Sequence, residues 1–139
     1  MKKSRFKVMV LTGACASLMI VGTSNQADAA VVAAGPGGFA AGFATPVAVA
    51  PVGGPLTFVN GDIQPHNVIA TSDFLPKKVA KKTEWCKNYG KTKCPIFWSA
   101  TVGLGGQTPV LGLENIESGA QYEFFCSVHP GMKGTLIVR

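Results

Sequence analysis

The chain has 139 residues, 47% of them hydrophobic and 14% charged, with a formal net charge of +6. That length and composition suit one ordinary globular domain, and past the N-terminus no apolar run is long enough for a membrane-spanning helix. The positive charge is concentrated in two short stretches, which argues against a generally basic, nucleic-acid-binding surface.

The first stretch is the N-terminus. "MKKSRFK" carries four basic residues, residues 8–21 form a mostly apolar run of 14, and Ala27-Asp28-Ala29 follows as a small-x-small cleavage signal. Together these read as a secretory signal peptide over residues 1–29, removed on export to a periplasm or the cell surface. Lipidation at Cys15 is the alternative, but "TGAC" has Thr12 where a lipoprotein signal usually has Leu. The expected mature domain is 30–139, with nine basic and six acidic residues, hence +3.

Residues 30–55 are rich in Ala, Gly, Pro and Val, the composition of a flexible linker. Within them "PVAVAPV" is short, apolar and bounded by turn formers, as strands are. "PLTFVNGD" is a clearer strand, ending at Asn60-Gly61, and "HNVIATS" reads as another. Residues 73–108 look like a long irregular connection, with some helix at "KKVAKKTEW" and a loop at "GLGGQTP". Ser118-Gly119 marks a turn. "QYEFFC" is a strand with Tyr122, Phe124 and Cys126 on one face, "SVHPGMKG" a loop, and "TLIVR" the last strand. Many short strands and no long helical period predict an all-β sandwich with a long irregular insert before its last strands.

The second basic stretch lies in that insert. Lys77, Lys78, Lys81, Lys82, Lys87, Lys91 and Lys93 face a single acid, Glu84. A solvated loop is one reading; a docking face for an acidic partner is the other.

The chemistry is carried by few residues. Beyond the signal, three cysteines, two histidines and one methionine remain. Cys86 and Cys94 bracket a short polar loop and are the natural disulfide in an exported protein. That leaves Cys126 as a spare thiol, in one heptapeptide, "CSVHPGM", with His129 and Met132. The only other imidazole is His66. Soft thiolate and thioether hold Cu(I) and imidazole suits both copper states. Cys126, His66, His129 and an axial Met132 therefore make a blue-copper donor set with nothing left over. Zinc would use Cys and His but gains little from a thioether. Two histidines cannot build the further copper centres of an oxidase, and a Cys126 nucleophile with His129 as base has no third group to orient it. No enzyme is expected.

At this point the chain resembles the cupredoxins, the small blue-copper proteins of plastocyanin and amicyanin type. The resemblance rests on "GAQYEFFCSVHPGMKGTLIV" at 119–138, "TFVNGDIQPHNV" at 57–68 and, more loosely, "GFATPVAVAPVGGP" at 42–55. It implies a Greek-key sandwich, and it turns 30–55 from a linker into the first pair of strands. It implies one copper shuttling single electrons, held by His66, Cys126, His129 and Met132. It also implies that Asn67 ties the two ligand loops together and shields the sulfur, and that His129 is the electron port at an apolar end with Pro65, Pro130 and Gly131. Redox-partner proteins and a monomer are expected. A copper buffer or delivery protein could use the same ligands, and a structural module with a vestigial site is the remaining class. The insert and the Cys86–Cys94 pair are not part of the family motif.

Overall fold

The computed structural model describes residues 29–89 and 93–139. The signal-peptide reading of residues 1–29, with Cys15, and the reading of Lys91 lie outside the described residues, Ala29 excepted.

The strands are β1 (Ala30–Ala34), β2 (Val47–Ala50), β3 (Leu56–Asn60), β4 (Ile69–Ala70), β5 (Trp98–Ser99), β6 (Gln107–Leu111), β7 (Gln121–Phe125) and β8 (Lys133–Val138). Two one-turn helices, α1 (Gly38–Ala41) and α2 (Lys77–Ala80), and two 3₁₀ turns, Glu84–Tyr89 and Leu113–Asn115, complete the described elements. The spatial order is β1-β3-β6-β5-β4-β7-β8-β2. β1 runs parallel to β3 and β2 parallel to β8, so the two N-terminal strands start the opposite ends of the ladder. β6 belongs to both layers: Gln107–Pro109 pair with β3, while Val110 and Leu111 pair with β5. Pro109, lacking an N–H, falls where the ladder changes partner, a place a proline tolerates.

Alternation decides which side of each strand is buried. Leu56 and Phe58 on β3, Tyr122 and Phe124 on β7, and Leu136 and Val138 on β8 all point into one core. Phe43 joins the layers, with edge contacts to Phe58 at 6.3 Å and Phe124 at 5.1 Å. Gly134 is required opposite Phe124: a Cβ there would overlap that ring. The fold is therefore the expected all-β sandwich.

Residues 30–55 hold two strands, as the resemblance implies, with a one-turn helix between them, and the two do not pair with each other. Two local expectations need correction. "HNVIATS" contributes a strand of only two residues, because its N-terminal part bridges Val102 instead. The segment 73–108 is not all irregular, since it contains β5 and the start of β6. Gln107, Thr108 and Pro109 are strand, not loop.

The lysine-rich part of the insert has its own small core. Leu75, Trp85, Cys86 and Cys94 are buried together, the Trp85 and Trp98 rings stack at 6.0 Å, and Cys86 is bonded to Cys94. This satellite joins the sandwich through Trp98, whose strand partners are Ile69 and Leu111. The half-buried Phe125 faces Ile69 on the next strand. Replacing both cysteines by serine is expected to destabilise the protein by about 2.5 kcal/mol, the loop-closure value for a separation of eight residues. Urea denaturation of the metal-free variant measures it; no change in midpoint would mean that the Trp85–Trp98 stack alone holds the lobe.

Candidate metal centre

β7 ends at Phe125, so Cys126 takes the next inward position and is fully buried. The chain then loops out and returns. The Met132 N–H donates to the His129 carbonyl at 2.9 Å, and the Cys126 N–H donates to the Met132 carbonyl at 3.1 Å. These two bonds close the heptapeptide into a compact turn with Cys126 and Met132 at its buried base. His129 is half-buried, and Ser127, Val128, Pro130 and Gly131 are exposed.

His66 arrives on the segment that leads into β4, the strand beside β7. Its backbone exchanges two hydrogen bonds with Val102, at 3.1 and 3.0 Å. The loop before it is braced by buried Asn60, whose Nδ2 donates to the carbonyls of Gln64 and Val102, each at 2.8 Å. The His66 ring is fully buried. Its Nδ1 lies 3.6 Å from Cys126 Sγ and 3.1 Å from His129 Nδ1. All three donor atoms lie within 4.8 Å of one another, the single such group among the described residues. Metal–donor bonds of roughly 2.0–2.3 Å put three trigonal donors roughly 3.5–4 Å apart, so this trio is spaced to share one ion. Met132, fully buried at the turn's base, adds a thioether. The combination of thiolate, two imidazoles and thioether fits copper.

Asn67 links the segment of His66 to that of Cys126. Its Oδ1 accepts the Ser127 N–H at 2.9 Å, and its Nδ2 donates to Ser127 Oγ at 2.8 Å and Thr101 Oγ1 at 3.0 Å. The tie runs through the neighbour of Cys126, which holds the two loops in register.

Asp62 was not singled out by the sequence. It is 1% exposed, and its Oδ2 accepts a hydrogen bond from His66 Nε2 at 2.9 Å. Its carboxyl is held down to about 2, chiefly by that bond; burial opposes this, and the N–H groups of Gly37, Phe39 and Ile63 assist. The segment 35–43, which composition marks as linker, supplies the other neighbours. Phe39 is 51% exposed, with its ring 6.2 Å from that of His129. Ile63 and Leu104, on the loops flanking His66, are also exposed. Phe39, with Val128 and Pro130 on either side of His129 in the chain, makes the surface beside His129 apolar. The described lysines of the basic stretch, Lys77, Lys78, Lys81, Lys82, Lys87 and Lys93, are all exposed. They lie on and around the disulfide lobe rather than in the ligand loops; Lys87 pairs with Glu84, and Lys93 sits over Phe74.

Residues 30–139 match the family model described as copper binding proteins, plastocyanin/azurin family. No curated protein matches the chain by sequence. Solved structures similar to it include a purple cupredoxin from Nitrosopumilus maritimus. That protein is 21% identical, with 81% of this chain and 100% of that one covered, at a TM-score of 0.54. Another is amicyanin from Paracoccus versutus, 22% identical over 81% of this chain and 83% of that one, at a TM-score of 0.50. At these identities the likeness is one of fold.

Proposed function

Because the chain belongs to the plastocyanin/azurin family of copper-binding proteins, we propose that it carries single electrons between protein partners. Copper is its cofactor, and His66, Cys126, His129 and axial Met132 are its ligands in this reading. When bound, copper supplies the one-electron chemistry by exchanging between +1 and +2. The chain's own residues hold donors of compromise softness and exclude water. The observation that carries the reading is the burial pattern. His66, Cys126 and Met132 are fully buried, while His129 alone of the four reaches the surface, at an apolar end. A carrier needs that arrangement: a rigid, dry site that changes little with charge, and one edge through which a partner can exchange an electron. A buffer or delivery protein needs the reverse, a site from which the ion can leave.

The leader over residues 1–29 belongs to the same reading. It would bring the domain 30–139 to a periplasm or the cell surface as a monomer, with Cys86–Cys94 suited to an oxidising compartment. His129 and Pro130 would form the electron port.

The test is a visible spectrum during Cu(II) titration, followed by ascorbate. An intense blue band that saturates at one copper and bleaches reversibly is expected. A colourless product, or rapid loss of copper to a chelator, would replace the carrier with a copper-handling protein.

The lysine lobe is proposed as a docking face for an acidic partner. Six described lysines, one of them paired with Glu84, give it a local positive field. The bimolecular electron-exchange rate with an acidic redox protein should fall as ionic strength rises and screening shortens to roughly 8 Å at physiological salt. A rate that does not change with salt would leave the lysines as a solvated surface.

A further inference from the structure

A carboxylate that only shapes a turn has no need to be buried, and burying a charge costs several kcal/mol unless it is matched. Asp62 is both buried and matched. Oδ1 accepts the N–H groups of Gly37 at 3.2 Å and Ile63 at 2.8 Å. Oδ2 accepts Phe39 N–H at 3.3 Å and His66 Nε2 at 2.9 Å. Its own N–H donates to Asn60 Oδ1 at 2.9 Å. Two of these partners, Gly37 and Phe39, lie 25 and 23 residues away in sequence, so the contacts do more than close a local turn.

The bonds to His66, Gly37 and Phe39 have consequences at the ligand cluster. A proton held on His66 Nε2 by a carboxylate leaves Nδ1 as the lone-pair nitrogen, and Nδ1 is the atom that faces Cys126 and His129. Holding Gly37 and Phe39 seats α1 over the site. There a Cβ on Gly38 would come within 3.3 Å of Met132 Cε, and the Phe39 ring lies 6.2 Å from the His129 ring. A negative charge one imidazole away from the metal position, in a dry interior, also favours the more highly charged ion.

We infer that Asp62 is a positioning residue for the metal centre. Its carboxylate fixes the proton of His66 on Nε2, seats the 37–39 turn against Met132 and His129, and biases the site toward the oxidised ion. This rests on the reading of His66 as a copper ligand.

The test uses the purified protein with Asp62→Asn and Asp62→Ala. Asparagine keeps an acceptor for His66 and removes the charge; alanine removes both. In metal-free wild-type protein at neutral pH, ¹⁵N NMR should show the neutral His66 ring protonated on Nε2. That preference should persist in Asp62→Asn and collapse to a mixture in Asp62→Ala. In the copper-loaded protein, Asp62→Asn should keep the blue band and raise the reduction potential. Its affinity for Cu(II) should fall relative to that for Cu(I), while Asp62→Ala, which removes the partner of His66 altogether, should lose about 10- to 100-fold in copper affinity. Asp62→Ala should also shift the band and release copper faster. A His66 proton on Nδ1 in the wild type would overturn the inference. So would a lower melting temperature in Asp62→Asn with potential and affinity ratio unchanged, which is the pattern of a merely structural group. A wild type that never turns blue would instead defeat the electron-carrier reading, and the metal-free NMR result would still decide the role of Asp62.

Discussion

Cys126→Ser should abolish the intense visible absorption of the copper-loaded protein while leaving the sandwich folded. The intense band requires a thiolate on Cu(II), and Cys126 is the one described cysteine outside the disulfide. A serine hydroxyl is a hard, poorly ionised donor in its place. It is smaller than the thiol, and its oxygen, held closer to Cβ, falls short of His66 Nδ1, which is 3.6 Å from Sγ. The buried hydroxyl therefore lacks that partner, and the metal-free variant should lose about 1–3 kcal/mol of stability, too little to unfold the sandwich. An absorption spectrum with one equivalent of Cu(II), and a thermal melt of the metal-free protein, read the two effects separately. A variant that stays intensely blue would remove Cys126 from the ligand set, and with it the reading of the whole heptapeptide.

Phe124→Ala should have the largest effect on stability, about 3–5 kcal/mol, the usual cost of emptying a buried phenylalanine site. Its ring is 1% exposed and meets Phe43 edge-on at 5.1 Å. The lost volume cannot easily be refilled. Phe43 is anchored in the 35–43 segment, and Gly134, which packs against the ring, has no side chain to move in. A domain of this size has a total stability of about 5–15 kcal/mol, so the variant sits near the edge of folding at 37 °C. The damage should also reach the metal centre, because Phe124 pairs with Ala70 and lies two residues before Cys126. Urea denaturation of the metal-free protein should show a lowered midpoint with an unchanged slope. A loss below about 1 kcal/mol would mean that the core repacks around the gap.

The elements of this protein differ in how far neighbours in sequence determine them. In "QYEFFC" polar Gln121 and Glu123 alternate with apolar Tyr122, Phe124 and Cys126, Phe125 being the one apolar residue on the other face, so burial of Tyr122, Phe124 and Cys126 follows from the period of a strand. The same holds for Leu56 and Phe58 in β3. The close spacing of Cys126, His129 and Met132 confines three donors to one turn wherever that turn lies, so their chemistry was readable before any fold. The separation of Cys86 and Cys94 was short enough to make their pairing legible too.

Other parts depend on contacts distant in sequence. β1 and β2 carry mostly Ala and Val in a Gly- and Pro-rich stretch. With so little contrast between their faces, pairing with β3 and β8 decides them. β4 and β5 are two-residue strands that exist only because β7 and β6 flank them. Pro109 and its glycine-rich approach read as a loop, because the place where a strand leaves one sheet for the other leaves no mark in local composition.

Asp62 shows the division most sharply. After Asn60-Gly61 an aspartate is an ordinary turn residue, and nothing nearby distinguishes a solvated carboxylate from a buried one. Gly37 and Phe39 bury it when β1 pairs with β3 and brings their turn over the loop. The sequence alone determined which donors this protein owns and which ion they suit, because donor chemistry belongs to the residue. The tertiary structure alone decided which nitrogen of His66 faces Cys126, which ligand reaches the surface and what charge stands behind the site. Orientation, burial and field arise only when segments far apart in the chain are packed together.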